Sequence, residues 1–406
     1  MSKNNNTINI EKALQQQSKT LFPGQEDHYR IWQCQSSPYS HKVMAYMNYK
    51  GIPYKRVNAN QLDLMWAMQV AGQSIVPIIL TPDDQVMQDS TPIIEYFEKK
   101  YPQSSAAPKH ASLAFIMWLL EDFADEYLQR LQMFTRWGNE LNTQAASHKI
   151  ARNILYGVEN FSIENHAKII QARQKKNDEL LGLIGEEVKE NLDKQVLDLL
   201  TILNTHLQTH QFLLGDCPSI ADFAFYGPLK VHFYDDPQSN HLLETHAPRV
   251  CNWLLTIQDL GDTRGCAGQT AFGDWIDTDA GLPASLLKLL QFVSQTYIPL
   301  GRATAKASVA REKQFQARVY GITTTFGSLH YKAWAFEQIQ LKYQALTGDI
   351  KAQVDSILIE TDILPGLIEE GILHNGLFDG FTPPFIKEGI PDARIKYLKD
   401  KQKQNI

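Results

Sequence analysis

The sequence has few cysteines, no long apolar run and no excess of basic residues, and each shortage excludes a class of protein. Its four cysteines among 406 residues form no C-x-x-C pair and no zinc spacing, which predicts reduced thiols in a cytoplasmic protein. The longest strongly apolar stretch, residues 113–120, is far shorter than the roughly 20 residues that span a bilayer. A net charge of −6 is not that of a typical nucleic-acid-binding protein. We therefore expect neither a membrane nor a nucleic acid as partner.

Several motifs that would reveal a function are missing as well. The polar first residues lack the apolar core of a signal peptide. No Gly-rich phosphate loop, no Ser/His/Asp order and no internal repeat stands out. His206 and His210 have the helical spacing of metal ligands, but no third ligand is evident in the sequence. We therefore expect two surface histidines and no metal site.

What remains is the composition of a soluble globular protein, with 43% hydrophobic and 21% charged residues. At about 150 residues per domain, the length predicts two or three domains. Residues 1–27 are rich in Asn, Gln and Lys and predict a flexible lead-in.

Residues 28–102 alternate between strand and helix patterns. The predicted order is a strand at 28–34, a helix at 38–50, a strand at 54–58, a helix through residue 68, strands at 74–80 and 85–88, and a helix at 92–100. This β-α-β-α-β-β-α order predicts a compact α/β domain.

From residue 110 onward, apolar residues recur at steps of three and four, which is typical of helices. The pattern predicts an all-α domain over 110–262, followed by a glycine-rich loop. Residues 263–406 then form a mostly helical extension that we expect to pack on the α domain. Within it, helices are predicted from residue 286 and over 331–346, a Gly- and Pro-rich stretch over 371–393, and a basic solvated tail over 394–403.

Ser37 is the first residue that could carry chemistry. It stands directly before Pro38 at a predicted helix start, and Ser and Pro are favoured at the N-cap and at the first helical position. A helix N-terminus offers unpaired N–H groups and partial positive charge to an anion. For an isolated Ser-Pro pair, however, a plain helix cap is the commoner explanation.

Two further motifs follow in order along the chain. Ser37-Pro38-Tyr39-Ser40 follows the first strand, Val76-Pro77 opens another, and Asp89-Ser90 opens a helix. In this order the three motifs resemble the cytosolic glutathione transferase family, in its serine type. Residues 215–222 resemble the capping box of that family's second domain. The resemblance covers about residues 28–262, and it implies a thioredoxin-like N-terminal domain followed by an all-α domain.

The resemblance also implies roles for these residues. Ser37 would be the catalytic residue, donating a hydrogen bond to the sulfur of glutathione. Val76, before a cis Pro77, would pair its backbone with the tripeptide. Ser90 and the N–H groups behind it would hold the γ-glutamyl carboxylate, and Asp89 would face the ammonium group. Glutathione is thus the expected co-substrate, and a homodimer is the usual assembly in the family.

The second substrate is left open by the sequence. Tyr39, Phe134 and Trp137 are candidates to line its pocket, with Arg136 beside them, although core packing is the alternative for the aromatic residues. We expect a transferase that attacks an unknown small electrophilic or hydrophobic molecule. The alternatives are a non-catalytic glutathione-binding or scaffold protein and a glutathione-dependent lyase or isomerase.

Two other features argue against competing chemistries. Ser37 and Ser40 occupy both cysteine positions of a glutaredoxin-like C-P-Y-C motif, and serine cannot form the mixed disulfide of thiol exchange. Cys34, on the preceding strand, is expected to lie in the core.

Four acids of one predicted helix are spaced like a metal cluster: Glu121, Asp122, Asp125 and Glu126. Because they fall between apolar positions, we expect a solvated face, with binding of a cationic or hydroxylated substrate as the alternative.

Overall fold

The computed structural model describes residues 19, 27–61, 63–64, 75–158, 161–260 and 272–368. The predicted flexible lead-in over 1–27 and the predicted helix through residue 68 lie mostly outside the described residues.

A four-stranded mixed sheet forms the centre of the first domain. Its strands are β1 (Tyr29–Gln33), β2 (Tyr54–Asn58), β3 (Ile78–Leu80) and β4 (Val86–Gln88), in the order β2-β1-β3-β4. Strand β1 pairs in parallel with β2 and antiparallel with β3, and β3 pairs antiparallel with β4. Helix α1 (Pro38–Tyr49) makes the crossover between the two parallel strands, and α2 (Ser90–Lys100) follows β4. The α/β prediction is confirmed.

The second domain is all-α, also as predicted. Its helices are α3 (Ala111–Glu126), α4 (Leu128–Trp137), α5 (Glu140–Ile154), α6 (Ile163–Lys175), α7 (Asn177–Leu180), α8 (Glu186–His206), α9 (Ile220–Pro228), α10 (Pro237–His246) and α11 (Pro248–Asp259), with a π-helical stretch at Leu229–Tyr234. The capping box at the start of α9 is confirmed. Ser219 Oγ accepts from Asp222 N at 3.3 Å, and the Asp222 carboxylate accepts from Ser219 N at 2.9 Å.

Helix α9 fixes the start of α1, the helix that begins beside Ser37. A Cβ atom added at Gly227 would lie 2.4 Å from the Pro38 carbonyl oxygen. The two backbones therefore approach each other more closely than any side chain at position 227 would permit. The all-α domain thus buttresses the first turn of α1.

The C-terminal segment, which is the name used here for residues 272–368, contains more helices and one β-hairpin. Its elements are α12 (Ala284–Val309), β5 (Gln314–Val319), β6 (Ile322–Gly327), α13 (His330–Gln344), α14 (Gly348–Glu360) and α15 (Leu364–Leu367), with a 3₁₀ turn at Thr278–Ala280. The mainly helical prediction is confirmed, but the hairpin was missed. Much of the predicted glycine-rich loop, the stretch over 371–393 and the basic tail lie outside the described residues.

The hairpin has a clear local signal. Phe315, Ala317 and Val319 point to the core while the residues between them are exposed, which is the period of two of a strand. The turn places Tyr320 at φ 50° and Gly321 at φ 88°. Two successive positive φ angles suit the tight turns that join antiparallel strands.

The C-terminal segment is packed onto the rest of the protein. Helices α12, α13 and α14 contact α3, and α12 also contacts α8. Buried apolar side chains from all three parts of the chain form one continuous core, beside two smaller clusters. The segment therefore packs against α3 and α8 of the all-α domain.

Candidate functional site

Ser37 is the N-cap of α1, as its sequence context predicts. Its backbone is extended, and its Oγ accepts a hydrogen bond from Ser40 N at 3.2 Å. The same hydroxyl donates to the carbonyl oxygen of Val76 at 3.4 Å. Ser37 is only half-buried, so the hydroxyl lies at the helix N-terminus within reach of a ligand.

The three motifs meet at one edge of the sheet domain. The Val76-Pro77 peptide bond is cis, as predicted, and Val76 contacts Ser37 through the hydrogen bond just described. Gln88 Nε2 donates to the carbonyl oxygen of Ile75 at 3.2 Å. Because Gln88 precedes Asp89 and Ile75 precedes Val76, this bond brings the start of α2 beside the Val76 loop.

Asp89 has an unusual backbone at the start of α2. Its φ is 86°, which is rare for a residue with a side chain and costs on the order of 1–3 kcal/mol. Asp89 Oδ2 accepts a hydrogen bond from the Tyr331 hydroxyl, at 2.7 Å. Tyr331 belongs to α13, so the C-terminal segment touches a residue of the candidate site.

Ser90 and Thr91 do not cap α2 through their side chains. Ser90 Oγ donates to Asp125 Oδ2 at 3.2 Å, and Thr91 Oγ1 donates to Glu121 Oε1 at 2.5 Å. The ammonium group of Lys42 lies between these acids, 2.5 Å from Glu121 Oε1 and 2.6 Å from Asp125 Oδ2. The start of α2 is therefore anchored to α3 through a buried ion network.

The prediction of a solvated acidic face on α3 is wrong. The acid cluster, consisting of Glu121, Asp122, Asp125 and Glu126, is 2–7% exposed. The physical reason is that donors from distant parts of the chain reach each member. Lys42 bonds Glu121 and Asp125, Tyr297 donates to Asp122, and Lys332 donates to the Glu126 carbonyl oxygen and pairs with its carboxylate at 3.3 Å.

Electrostatics in this cluster follow from its burial. Burial raises the pKa of Asp122 and of Glu126, and neighbouring carboxylates add to the shift for both. Burial alone would lower the pKa of Lys42, but the attraction of Asp125 and Glu121 outweighs it and raises that pKa. Lys42 is thus held as a cation. In the described part of the chain, no group of three or more His, Cys, Asp or Glu side chains is arranged to hold a metal ion.

The pocket candidates from the sequence do not gather in one place. The Tyr39 hydroxyl donates to the Asp125 carbonyl oxygen at 3.0 Å, next to the acid cluster. Trp137 packs instead on a small apolar cluster of α5 and α6, and Phe134 packs against the main core. Arg136 is not available to a substrate, because it is 1% exposed and pairs with Asp236 at 2.6 Å.

Asn153 at the end of α5 is a residue that the sequence reasoning missed. Its Oδ1 accepts from Gln35 N at 3.4 Å, and its Nδ2 donates to the Ala59 carbonyl oxygen at 3.0 Å. It therefore ties the all-α domain to the loop before Ser37. No local pattern marks it, because both partners lie roughly a hundred residues away along the chain.

His41 lies in the first turns of α1, and it was missed too. Its Nε2 lies 3.1 Å from the Gln35 carbonyl oxygen. Burial and, to a lesser degree, the charge of Lys230 lower the pKa of His41 to about 4, so this imidazole is neutral at pH 7.

Comparison with known protein families agrees with this geometry. The glutathione S-transferase N-terminal domain matches residues 36–100, and the glutathione S-transferase C-terminal domain matches residues 171–260. The chain carries both domains of the glutathione S-transferase family.

Solved structures that were matched to this chain cover a little over half of it. The β-etherase LigF from Sphingobium sp. strain SYK-6 is 18% identical, covers 58% of this chain and 98% of its own, and has a TM-score of 0.41. A glutathione S-transferase of Ceriporiopsis subvermispora in complex with glutathione is 15% identical, covers 57% and 97%, and also scores 0.41. The transferase GSTFuA3 from Phanerochaete chrysosporium is 15% identical, covers 57% and 97%, and scores 0.40. No curated protein sequence matches this chain.

Cys34, two residues before the stretch that matches the N-terminal glutathione S-transferase domain, is unsuited to act as a nucleophile. It follows the end of β1 and is half-buried, rather than lying in the strand and the core as expected. Burial raises the pKa of its thiol, so the reactive thiolate is scarce at pH 7. Cys217 and Cys251 are also free thiols, and Cys266 lies outside the described residues.

Within the C-terminal glutathione S-transferase domain, the prediction of two surface histidines is wrong for His206. It is 1% exposed, its Nδ1 lies 2.9 Å from Ser285 Oγ, and its Nε2 lies 3.1 Å from the Phe212 carbonyl oxygen. The start of α12 covers it. His210 is half-buried and stacks on His206 with ring centroids 4.8 Å apart.

None of the described helices combines the length and the apolar character needed to cross a membrane.

Proposed function

We propose that the protein binds glutathione and that the Ser37 hydroxyl stabilises the glutathione thiolate for attack on an electrophilic or hydrophobic small molecule. The observation that carries the proposal is the position of Ser37 Oγ. It lies at the N-terminus of α1 and bonds Val76, so that two of the three motifs converge on one hydroxyl. The two glutathione S-transferase domains support the choice of ligand.

The energetic requirement is modest. A thiol with a pKa of about 8.5 is only a few per cent ionised at pH 7, and lowering that pKa by about two units takes about 2.7 kcal/mol. A hydrogen bond to a charged group contributes about 1.5–3 kcal/mol. A helix N-terminus adds about 0.3–1 kcal/mol. One serine hydroxyl and the first turn of α1 are together of the right size.

The chemistry needs no proton from the protein. The long bond from Ser37 to Val76 gives way to a bond from the same hydroxyl to sulfur, so Ser37 keeps its proton. The thiol proton passes to solvent. A sulfur electron pair then forms the bond to the electrophilic atom, and the leaving group departs with its own bonding pair.

The remaining glutathione contacts are proposals of the same kind. The Val76 backbone, before the cis Pro77, would pair with the tripeptide, and the backbone N–H groups at the start of α2 would hold the γ-glutamyl carboxylate. Ser90 would act through its backbone, because its hydroxyl already donates to Asp125. Asp89 would face the ammonium group. Tyr39 is the candidate nearest these residues for the second substrate, whereas Phe134 and Trp137 stay predictions.

Ser37→Ala tests the proposal, with Ser36→Ala as a matched control. Ser36 is the preceding residue, it is buried, and its Oγ has no hydrogen-bond partner among the described residues. Ultraviolet titration of bound glutathione measures the thiol pKa. We expect the wild type and Ser36→Ala to lower it by about two units and Ser37→Ala to leave it near 8.5. Equal pKa values for wild type and Ser37→Ala would refute the role of Ser37.

A second candidate function is glutathione binding without turnover. The observation in its favour is that the Ser37 hydroxyl already serves as a helix cap, which needs no catalytic role. A panel of electrophiles separates the two. Turnover that Ser37→Ala abolishes supports the enzyme, whereas glutathione affinity without turnover supports the binding protein. A lyase or isomerase would return glutathione unconsumed, which product analysis detects.

Cytoplasmic location and homodimerisation stay predictions. Cell fractionation tests the first, and light scattering of the purified chain tests the second.

A further inference from the structure

Helix α13 of the C-terminal segment reaches both glutathione S-transferase domains through polar side chains. Lys342 Nζ donates to Glu95 Oε1 of α2 at 2.6 Å, and Lys332 Nζ pairs with Glu126 of α3. Tyr331 contacts Asp89 at the start of α2. These contacts fix the position of α13 beside the candidate glutathione site.

Tyr331 is well placed to control the Asp89 carboxylate. Its hydroxyl donates to Asp89 Oδ2 at 2.7 Å, and its ring lies against Trp334 with centroids 5.4 Å apart. Both Tyr331 and Asp89 are half-buried. The donor therefore constrains the rotation of the carboxylate while leaving part of it accessible.

The charges around Asp89 favour a cationic ligand group. Asp89 adds to the negative field that raises the pKa of Asp125 and of Glu126, for both of which burial is the larger cause. Lys42 contacts Glu121 and Asp125, and Lys332 contacts Glu126. A primary ammonium group bound beside Asp89 would be attracted by the negative field to which Asp89 contributes.

We propose that Tyr331 is a positioning residue that orients the Asp89 carboxylate for the γ-glutamyl ammonium group of glutathione. The C-terminal segment is then part of the glutathione site and is more than a cover for α3. This inference rests on the proposed function, since it takes glutathione as the ligand. Tyr331 itself acts through Asp89 and needs no contact with the tripeptide.

The test compares two ligands and two matched variants by calorimetric titration. The ligands are glutathione and its analogue without the γ-glutamyl α-amino group, glutaryl-cysteinyl-glycine. Tyr331→Phe removes the hydroxyl from Asp89 and keeps the ring beside Trp334. The control is Tyr343→Phe on the same helix, which removes a 2.6 Å bond from a tyrosine to Asp355 elsewhere.

We expect Tyr331→Phe to weaken glutathione binding about fivefold to tenfold, which is less than the loss of a direct hydrogen bond to a charged group, because Tyr331 acts only through Asp89. The same variant should change the affinity for the des-amino analogue by less than about twofold. Tyr343→Phe should leave both affinities unchanged. In an Asp89→Asn background, Tyr331→Phe should have no further effect on glutathione.

Other results overturn the inference in distinguishable ways. If Tyr331→Phe weakens both ligands equally, the tyrosine has only a structural role. If the wild type binds both ligands equally well, Asp89 does not recognise the ammonium group, although the proposed function stands. If the wild type binds neither ligand, the proposed function fails and the inference fails with it. Retained binding of the analogue by Tyr331→Phe also shows that the variant is folded.

Discussion

Lys42 is the residue whose replacement tests the buried ion network most directly. Its side chain is 1% exposed, and its ammonium group lies 2.5 Å from Glu121 and 2.6 Å from Asp125. Lys42→Met keeps the length and apolar character of the side chain but removes the cation. Two buried carboxyl groups then lose their counter-charge.

The expected loss of stability is large. Breaking a buried pair by removing one partner costs about 3–5 kcal/mol, because a buried charge is left uncompensated. Thr91 and Ser90 keep their bonds to the two acids, which limits the loss but supplies no positive charge. We therefore expect Lys42→Met to lower the free energy of unfolding by about 3 kcal/mol or more.

Lys342→Met is the matched control. Lys342 also pairs with a carboxylate at 2.6 Å, but both side chains are about a third exposed. Such pairs contribute about 0–1 kcal/mol. Urea unfolding followed by tryptophan fluorescence compares the two variants. If Lys42→Met lowers the free energy of unfolding by no more than Lys342→Met does, the buried ion network does not stabilise the fold as argued here.

The pH dependence of the Lys42→Met effect gives a second check. Burial raises the pKa of Glu121 and of Asp125, and the Lys42 ammonium opposes the shift. In Lys42→Met these two carboxyl groups keep their protons in the folded state to a higher pH than in the wild type. The stability of the variant therefore falls more steeply as pH rises. The difference in free energy of unfolding between Lys42→Met and the wild type should therefore grow between about pH 5 and about pH 8. A difference that shrinks over this range would contradict the charge argument.

Two further predictions concern the C-terminal glutathione S-transferase domain. Burial lowers the pKa of His206 to about 4, so the folded state binds fewer protons than the unfolded state below about pH 6.5, and stability falls as pH drops from there. Between about pH 6.5 and pH 4, urea unfolding should show a smaller loss of stability for His206→Gln than for the wild type. If the free energies of unfolding of the two proteins fall in parallel over this range, His206 does not contribute to the pH dependence. Gly227→Ala would place a Cβ atom 2.4 Å from the Pro38 carbonyl oxygen, so we expect a loss of about 1–3 kcal/mol and weaker glutathione binding as the start of α1 shifts. Unfolding and binding curves that match the wild type would show that α9 does not buttress that turn.

Local features of this protein were predictable because a few adjacent residues encode them. Ser37 before Pro38 marks a helix start, and the structure places Ser37 as the N-cap. The pair Ser219 and Asp222 predicts a capping box, and both of its hydrogen bonds are present. The cis bond at Val76-Pro77 was predicted from the resemblance and is present.

The burial of the acid cluster was not predictable by the same means. Acids between apolar positions of a helix normally face solvent. Here their donors come from elsewhere: Lys42 is 79 residues from Glu121, and Tyr297 is 175 residues from Asp122. No window of sequence around α3 contains that information.

The hairpin of the C-terminal segment was not predicted, for a different reason. The alternation of Phe315, Ala317 and Val319 and the Tyr320-Gly321 turn are present in the sequence. The signal was local and was overlooked among the surrounding helical patterns. Tyr331, in contrast, is 242 residues from Asp89, and no spacing rule connects them.

The contact between Tyr331 and Asp89 joins two distant parts of one polypeptide. A residue supplied by a second chain reaches its partner only at protein concentrations near the dissociation constant of the complex. A residue on the same chain meets its partner at an effective concentration that the connecting structure sets, whatever the dilution. The hydrogen bond to Asp89 is therefore independent of protein concentration, and so is the part of the site that this bond organises.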